Sequence, residues 1–356
     1  MLFRDTVFLT GFPGFIAGRL VERLARSDRQ FILLVQPQLI EQAMSDVDEI
    51  ARRADVPLEC FSLVEGDITQ PDLGIAADDL ETIRFETKRV FHLAAVYDLA
   101  IDRSTAMAVN LEGTRNVNAL VRTIRDLERY NYVSTCYVAG RREGTVLETE
   151  LEHNSGFKNF YEESKYLAEA EVEKIKADVP LTIYRPSVVV GDSETGETVK
   201  YDGIYYLINY LRKAPTLLRV INVGNDRVRL NLVPVDFVVD AIAELSANPA
   251  AAGKTLAIAD RSPMTTSELF NAIAYDLTGR RSEFTPSPRL VEWFLNTPVS
   301  PPITGLPRYG VPYFFISQSY DTSIADGLLK QANIECPRFS EYVGSLLDFV
   351  AEFPEL

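Results

Sequence analysis

The feature that most constrains the fold of this chain lies in its first 25 residues. An apolar run, Thr6-Val7-Phe8-Leu9-Thr10, leads into Gly11-Phe12-Pro13-Gly14-Phe15-Ile16-Ala17-Gly18, and a helical pattern continues from Arg19 to Ala25. A short run of bulky residues reads as a buried strand. Glycines behind it permit a tight turn and close approach of the backbone to a ligand, and the N-terminus of the helix offers N–H donors to an anion. Taken alone, such a string is as readily an ordinary strand–helix turn. Its place in a first strand–helix–strand unit favours a phosphate-binding crevice at the ends of a parallel sheet.

The alternation persists. Strand-like runs recur at 31–35, 60–64, 89–93 and 130–134, with longer amphipathic segments between them. In the segment 104–128, Val109, Gly113, Val117, Leu120, Val121 and Ile124 share one helical face. A helix near 159–177 and a strand at 181–185 continue the pattern, which implies a parallel sheet covered on both faces. After Gly191 it changes. Residues 192–228 are rich in Tyr, Gly and Thr, residues 235–247 read as a helix, and 261–339 hold many prolines and aromatics with weak periodicity. The expected architecture is α/β: a Rossmann-like doubly wound parallel sheet with a smaller C-terminal substrate-binding cap. Residues 1–191 form the nucleotide-binding domain, 229–260 return to it, and 192–228 with 261–356 make the cap.

Composition excludes several classes. The 356 residues carry 36 Lys+Arg against 51 Asp+Glu, a net charge of −15, so a nucleic-acid footprint and adhesion to anionic membranes through charge alone are disfavoured. Three cysteines and two histidines offer no metal-ligand spacing and no Ser-His triad. No signal peptide is visible before the first strand. The longest uncharged run, Trp293 to Pro307, is too short and too proline-rich to span a membrane. A cytoplasmic protein is expected.

Two further groups point to chemistry. The second strand ends at Gln36, where an acid would bind the ribose 2′-hydroxyl of NAD and an arginine the 2′-phosphate of NADP. A neutral residue removes a repulsion against that phosphate, which favours NADP with NAD possible. Arg52 and Arg53 are candidates to help, although helix-surface arginines are usually solvated. On a predicted helix, Tyr161 and Lys165 stand four residues apart and share a face. A cation near a phenol favours phenolate, so the pair can act in proton transfer. Tyr-x-x-x-Lys alone is most often two surface residues; Ser134-Thr135, ending the fifth strand where parallel sheets bind ligands, raises its standing.

In order along the chain stand Thr10-Gly11-x-x-Gly14, Gly66-Asp67-Ile68, His92-Leu93-Ala94-Ala95, Asn110-x-x-Gly113-Thr114, Ser134-Thr135, Tyr161-x-x-x-Lys165 and Arg185-Pro186-Ser187. This series, covering at least residues 6–260, resembles the extended short-chain dehydrogenase/reductase family. The resemblance implies a catalytic trio of Thr135, Tyr161 and Lys165. It implies cofactor contacts from Thr10, Gly11, Phe12, Pro13, Gly14, Phe15 and Ile16, from Gln36, from Asp67 and Ile68 beside the adenine, and from Ala94, Ala95 and Asn110. Tyr161 and Lys165 join them, with Pro186, Ser187 and Val188 on the nicotinamide side. A narrower likeness, carried by Gly66-Asp67-Ile68-Thr69, Phe91 to Tyr97, Tyr184 to Gly196 and Val233-Pro234-Val235-Asp236, is to the fatty acyl-CoA reductase group. That group includes the thioester-reductase domains of carboxylic acid reductases and peptide synthetases, which use NADPH. Ala17 stands where a third glycine is frequent, and Gln36 where NADP-dependent relatives often carry Arg. No adenylation or carrier domain is attached, so a thioester is expected as a free CoA ester or on a separate carrier.

The reading is therefore an NADPH-dependent reductase of an apolar carbonyl or acyl thioester, with small-molecule partners, no metal, and a homodimer possible. The alternatives are an NAD-dependent nucleotide-sugar epimerase or dehydratase, and a catalytically silent nucleotide-binding regulator. Cys136 and His92 read as packed residues and His153 as solvated. Tyr201, Tyr205, Tyr206 and Tyr210 read first as core, second as channel wall. Trp293-Phe294-Leu295 and Val311 to Phe315 are expected over an acyl pocket, at an interface or on a lipid surface.

Overall fold

The computed structural model describes residues 3–213, 221–282 and 284–356; residues 214–220 of the stretch 192–228, and Glu283, lie outside them. Among the described residues the strands are β1 (Asp5–Thr10), β2 (Arg29–Val35), β3 (Phe61–Glu65), β4 (Arg89–His92), β5 (Arg129–Val133), β6 (Gly144–Val146), β7 (Leu181–Pro186), β8 (Val188–Val190), β9 (Leu232–Pro234), β10 (Thr255–Ile258) and β11 (Gln318–Tyr320). Seven of them form one sheet in the order β10-β7-β5-β4-β1-β2-β3. Every pairing in it is parallel. The order reverses at β1, which opens a crevice beyond the carboxyl ends of β1 and β4, where such sheets bind ligands.

Strand periodicity sends alternate residues to opposite faces. Val7, Leu9, Phe31 and Leu33 enter one core, and Phe8, Ile32 and Leu34 the other. Helix α1 (Phe15–Leu24) buries Ala17, Leu20, Val21 and Leu24, spaced as one helical stripe. It shares the first core with α2 (Ile40–Arg53) and the helix Val235–Ala247. The second face is covered by α3 (Ala77–Glu86), α5 (Gly113–Val121) and α6 (Phe160–Lys174), the short α4 (Arg103–Ala106) lying before α5. A third core joins α7 (Ile204–Lys213), β8, β9 and the helices Thr266–Thr278 and Phe339–Glu352. A fourth, smaller cluster holds Val291, Leu295, Leu306 and Val311.

The chain does not stay in the cap after residue 261. Ala325 and Leu329 of the helix Ser323–Leu329 are buried in the first core. They are held there by Glu148, whose carboxylate accepts from the backbone N–H of Ala257 at 2.8 Å, of Ile324 at 2.6 Å and of Ala325 at 3.2 Å. Burial pushes the Glu148 carboxyl up to about 6, against these three hydrogen bonds. In parallel, β11 pairs with β6, so a late strand closes on an early one. Among the described residues no helix is long and apolar enough to cross a membrane.

Candidate active site

One cleft of about 650 Å3 gathers most of the residues singled out in the sequence, within the range of about 300–1,000 Å3 common to ligand sites. Its walls include Gly11, Phe12, Pro13, Gly14, Phe15, Ile16, Gln36, Ile68, Ala94, Ala95, Thr135, Tyr161, Lys165, Pro186, Ser187 and Val188. Thr10, Asp67 and Asn110 are not on those walls. Thr10 is fully buried, its hydroxyl 2.7 Å from His92 Nδ1 and accepting from Ala94 N at 3.3 Å. Asp67 closes its own turn by accepting from Thr69 N at 2.8 Å. Asn110 accepts from Val96 N at 2.8 Å and donates to Ser164 Oγ at 2.9 Å, which ties the loop after β4 to α6. Thr10 and Asn110 thus brace the loop after β4.

The glycine end has the shape of a phosphate cradle. Gly11 has φ +100°, and a Cβ there would meet Ala94 N at 2.7 Å. A Cβ on Gly14 would meet Gly11 O at 2.7 Å. Gly14 caps α1 with no side chain, and the first turn of α1 carries no acid, so its N–H donors are left to the cleft. These residues fit a dinucleotide pyrophosphate. Ala17 is buried without difficulty and a Cβ on Gly18 would meet nothing within 4 Å, so the helix packs without the usual third glycine. At the tip of β2, Gln36 bonds Gln38 at 3.0 Å. Arg52 and Arg53 are not at this tip: Arg53 lies 2.5 Å from Glu49 and 3.7 Å from Glu22, and Arg52 lies 3.9 Å from Glu49.

At the other end stand Thr135, Tyr161 and Lys165. Asn159 caps α6 by accepting from Glu162 N at 3.0 Å, which fixes where the helix starts and hence where Tyr161 points. The Thr135 hydroxyl stands near the Tyr161 phenol and favours its ionised form, while Thr135 Oγ1 accepts from Tyr137 N at 3.2 Å. Tyr97 packs edge-on to the Tyr161 ring at 5.0 Å. Lys165 donates to Val133 O at 3.0 Å and to Tyr132 Oη at 3.3 Å. Burial brings its ammonium down to about 8, with the Glu169 carboxylate opposing. On balance the Tyr161 phenol is not lowered as the sequence led one to expect. Burial drives that group up, and the nearby Thr135 hydroxyl offsets it only in part. In this state Tyr161 is a neutral phenol, a proton donor.

Helix α6 is unusual in burying charge. Glu169 receives Arg185 Nε at 2.9 Å and also the Ser134 hydroxyl. Glu162 holds Lys158 at 3.0 Å and accepts from Tyr313 Oη at 2.6 Å. Unpaired, each such carboxylate would cost several kcal/mol. Ser134 and Arg185 thus brace the strand ends on either side of Thr135. His92 sits between Thr10 and Thr114, 3.1 Å from the latter. Burial brings its imidazole down to about 3, so it is neutral. Cys136 is buried, and its thiol donates to Arg185 O at 3.1 Å. His153 is not solvated as expected: its Nε2 lies 2.9 Å from Val138 O, and its ring packs edge-on to Phe157 and Tyr166.

The sequence reading overlooked part of the wall. Tyr137, Thr198, Val199, Lys200 and Asp202 line the cleft beyond Tyr161. Lys200 sits 5.4 Å above the Tyr97 ring and 3.8 Å from Asp202. Burial raises the Asp202 carboxyl, with Lys200 opposing. Of the tyrosines around it, Tyr205 is core and accepts from Gly191 N at 2.9 Å. Trp293, Phe294 and Leu295 do not line this cleft; Leu295 is buried in its own small cluster and Trp293 is exposed.

Comparison with known proteins gives the family and the fold. A family model described as "Male sterility protein", an NAD-binding type, matches residues 9–242. "Fatty acyl-CoA reductase wat" of Drosophila melanogaster is 25% identical over 279 residues, 68% of this chain and 54% of that protein. "Non-canonical nonribosomal peptide synthetase FrzA" of Cladobotryum sp is 27% identical over 291 residues, 76% of this chain and 28% of that protein. The chain thus spans about half the length of the fatty acyl-CoA reductase it matches, and far less of the synthetase. Among solved structures, the terminal R domain from the myxalamid PKS-NRPS biosynthetic pathway superposes with a TM-score of 0.82 at 23% identity, over 99% of this chain and 92% of that one. That likeness shows the fold.

Proposed function

Because the chain belongs to the male sterility protein family, a branch of the NAD(P)-dependent oxidoreductases of the extended short-chain type, we propose that it is an NADPH-dependent reductase of an apolar acyl thioester or carbonyl compound. The observation that carries this reading is the neutral, buried Tyr161, with Thr135 and Lys165, on the wall of the same cleft that the glycine turn lines. The glycine cradle and the N-terminus of α1 would hold the pyrophosphate. Ile68, Ala94 and Ala95 would flank the nucleotide, and Pro186, Ser187 and Val188 the nicotinamide. When bound, that cofactor supplies the hydride. Thr135 and Tyr161 hydrogen-bond the carbonyl oxygen of the substrate and so favour the charge that develops there. Tyr161 then gives its proton to that oxygen. Lys165, charged below about pH 8, stabilises the negative charge left on the phenol. A thioester becomes a hemithioacetal, whose collapse breaks the carbon–sulfur bond and releases an aldehyde and a thiol. A ketone or aldehyde ends as the alcohol.

NADPH is favoured because the end of β2 presents the neutral Gln36 amide, which does not repel a 2′-phosphate. The test is turnover of a long-chain acyl-CoA against the matching aldehyde, each with NADPH and NADH. Thiol release coupled to NADPH oxidation is expected. Activity on aldehyde alone removes thioester reduction, and protein that carries tightly held NAD and ignores added cofactor favours an epimerase.

A further inference from the structure

Among the described residues, Asp202 is the one carboxylate on the walls of the cleft, at the end lined by Tyr97, Tyr137 and Tyr161. Its side chain is only 19% exposed, and Lys200 lies 3.8 Å away, beyond hydrogen-bond reach. The only hydrogen bond that its carboxylate accepts among the described residues comes from its own backbone N–H. Its charge adds to burial in raising the phenols of Tyr97, Tyr137 and Tyr161, yet none of the three donates to it. A carboxylate taken out of water without donors is costly, and most buried polar groups find partners. Asp202 therefore keeps acceptor capacity on a wall of the cleft, and the fold itself does not use it.

The backbone beneath this side chain is fixed. Tyr205 is fully buried, its N–H donates to Asp202 O at 3.0 Å, and its phenol accepts from Gly191 N at 2.9 Å. Gly203 follows with φ +53°, and a Cβ there would meet Val188 Cγ1 at 3.4 Å. Val188 is the residue that the proposed reading sets beside the nicotinamide, so the chain at Asp202 is anchored against the reacting end of the cleft. Lys200 is more than half exposed and lies 5.4 Å above the Tyr97 ring. The cation of the pair is thus the outer member and the carboxylate the inner one.

A substrate brings a donor to such a carboxylate either as an ammonium or as a hydroxyl. The charge balance selects the hydroxyl. Lys200 already neutralises Asp202, so an ammonium would bring a second cation to a site with one acid, whereas a hydroxyl adds a donor and no charge. We propose that Asp202 accepts a hydrogen bond from a hydroxyl on the acyl part of the substrate, so that the preferred substrate is a hydroxyacyl thioester, or the matching hydroxylated carbonyl compound, rather than a plain chain. This inference rests on the reductase reading and narrows it. The rest of the chain stays apolar, to suit Val96, Val109 and Val199 on the same walls, and the hydroxyl stands close to the reacting carbonyl.

The probes are decanoyl-CoA and its 2-hydroxy and 3-hydroxy derivatives, compared on the full chain by NADPH-coupled turnover and by calorimetric binding. In the wild type at least one hydroxylated ester is expected to be favoured by about 10–100-fold in kcat/KM and in affinity, the worth of a hydrogen bond to a charged acceptor. Asp202→Ala is expected to erase most of that preference. Asp202→Asn keeps an acceptor oxygen and is expected to keep part of it, with a thermal midpoint near wild type that guards against misfolding. Three results would overturn the proposal. One is no preference for either hydroxylated ester in the wild type by both readouts. Another is an equal loss on plain and hydroxylated esters in Asp202→Ala, which assigns the carboxylate to the cofactor. The third is tighter binding of 3-aminodecanoyl-CoA than of either hydroxylated ester, which assigns it to an ammonium. Failure of the reductase reading shows differently: no ester drives NADPH oxidation, while an Asp202-dependent preference in binding still upholds the hydroxyl site.

Discussion

The two ends of the cleft are made of different material. The glycine end is backbone: Gly11, Gly14 and the first turn of α1 present N–H groups, and side chains are kept away by glycine. The far end is side chain: Tyr97, Tyr137, Tyr161, Lys200 and Asp202 line it together with Thr135. Backbone donors recognise what every dinucleotide shares. Side chains can be exchanged one by one, so on the proposed reading this is the end that would tell one substrate from another. Binding and proton transfer should therefore be separable by mutation.

The strongest way to break that contrast is Tyr161→Phe. Losing the proton donor is expected to lower kcat by about 10²–10⁴-fold, while cofactor affinity, measured by fluorescence quenching or calorimetry, stays near wild type. Unchanged kcat would sink the assignment of Tyr161. Gly11→Ala is the converse. A Cβ there would strike Ala94 N and sit at φ +100°, a strain of about 1–3 kcal/mol. A cofactor Kd raised by about tenfold is expected, with kcat at saturating cofactor changed far less. An affinity equal to wild type would show that the turn is not the cradle. The smallest effect concerns pH and joins the two ends. Burial depresses the Lys165 pKa to about 8, so its charge is present below that pH and is lost as pH rises through it. In the free enzyme kcat/KM is expected to fall above about pH 8, and Lys165→Arg should move that limb upward because guanidinium stays protonated. A limb that stays in place in the variant would assign it to another group.

The sheet was legible because its signals are local. Each strand is a short apolar run, and the alternation of Val7, Phe8 and Leu9 between two cores follows from the strand period alone. Tyr161 and Lys165 were legible because four residues on a helix share a face. What stayed hidden depends on distant partners. Nothing near Asp202 in the sequence reveals that it faces Tyr97 and Tyr161. The tyrosines around it read as core, and for Tyr205 that is right. Motifs name Thr10, Asp67 and Asn110 but not the partners their side chains take, which here lie within the chain. The expected lowering of the Tyr161 phenol was outweighed for a similar reason: spacing gives the cation, but desolvation depends on everything packed around the ring. His153 looked solvated because its neighbours in sequence are polar, whereas Phe157 and Tyr166 enclose it.

Glu148 has a consequence for how such a molecule diversifies. One carboxylate grips Ala257, where the chain leaves the sheet, and Ile324 with Ala325, where it comes back. The intervening stretch is therefore a detour whose two gateposts are held together before its length or content is decided. Closing a longer detour between fixed ends costs only about 0.6 kcal/mol per doubling. Descendants of this chain could swap the whole excursion, and with it the exposed Trp293, while the sheet goes on folding as before.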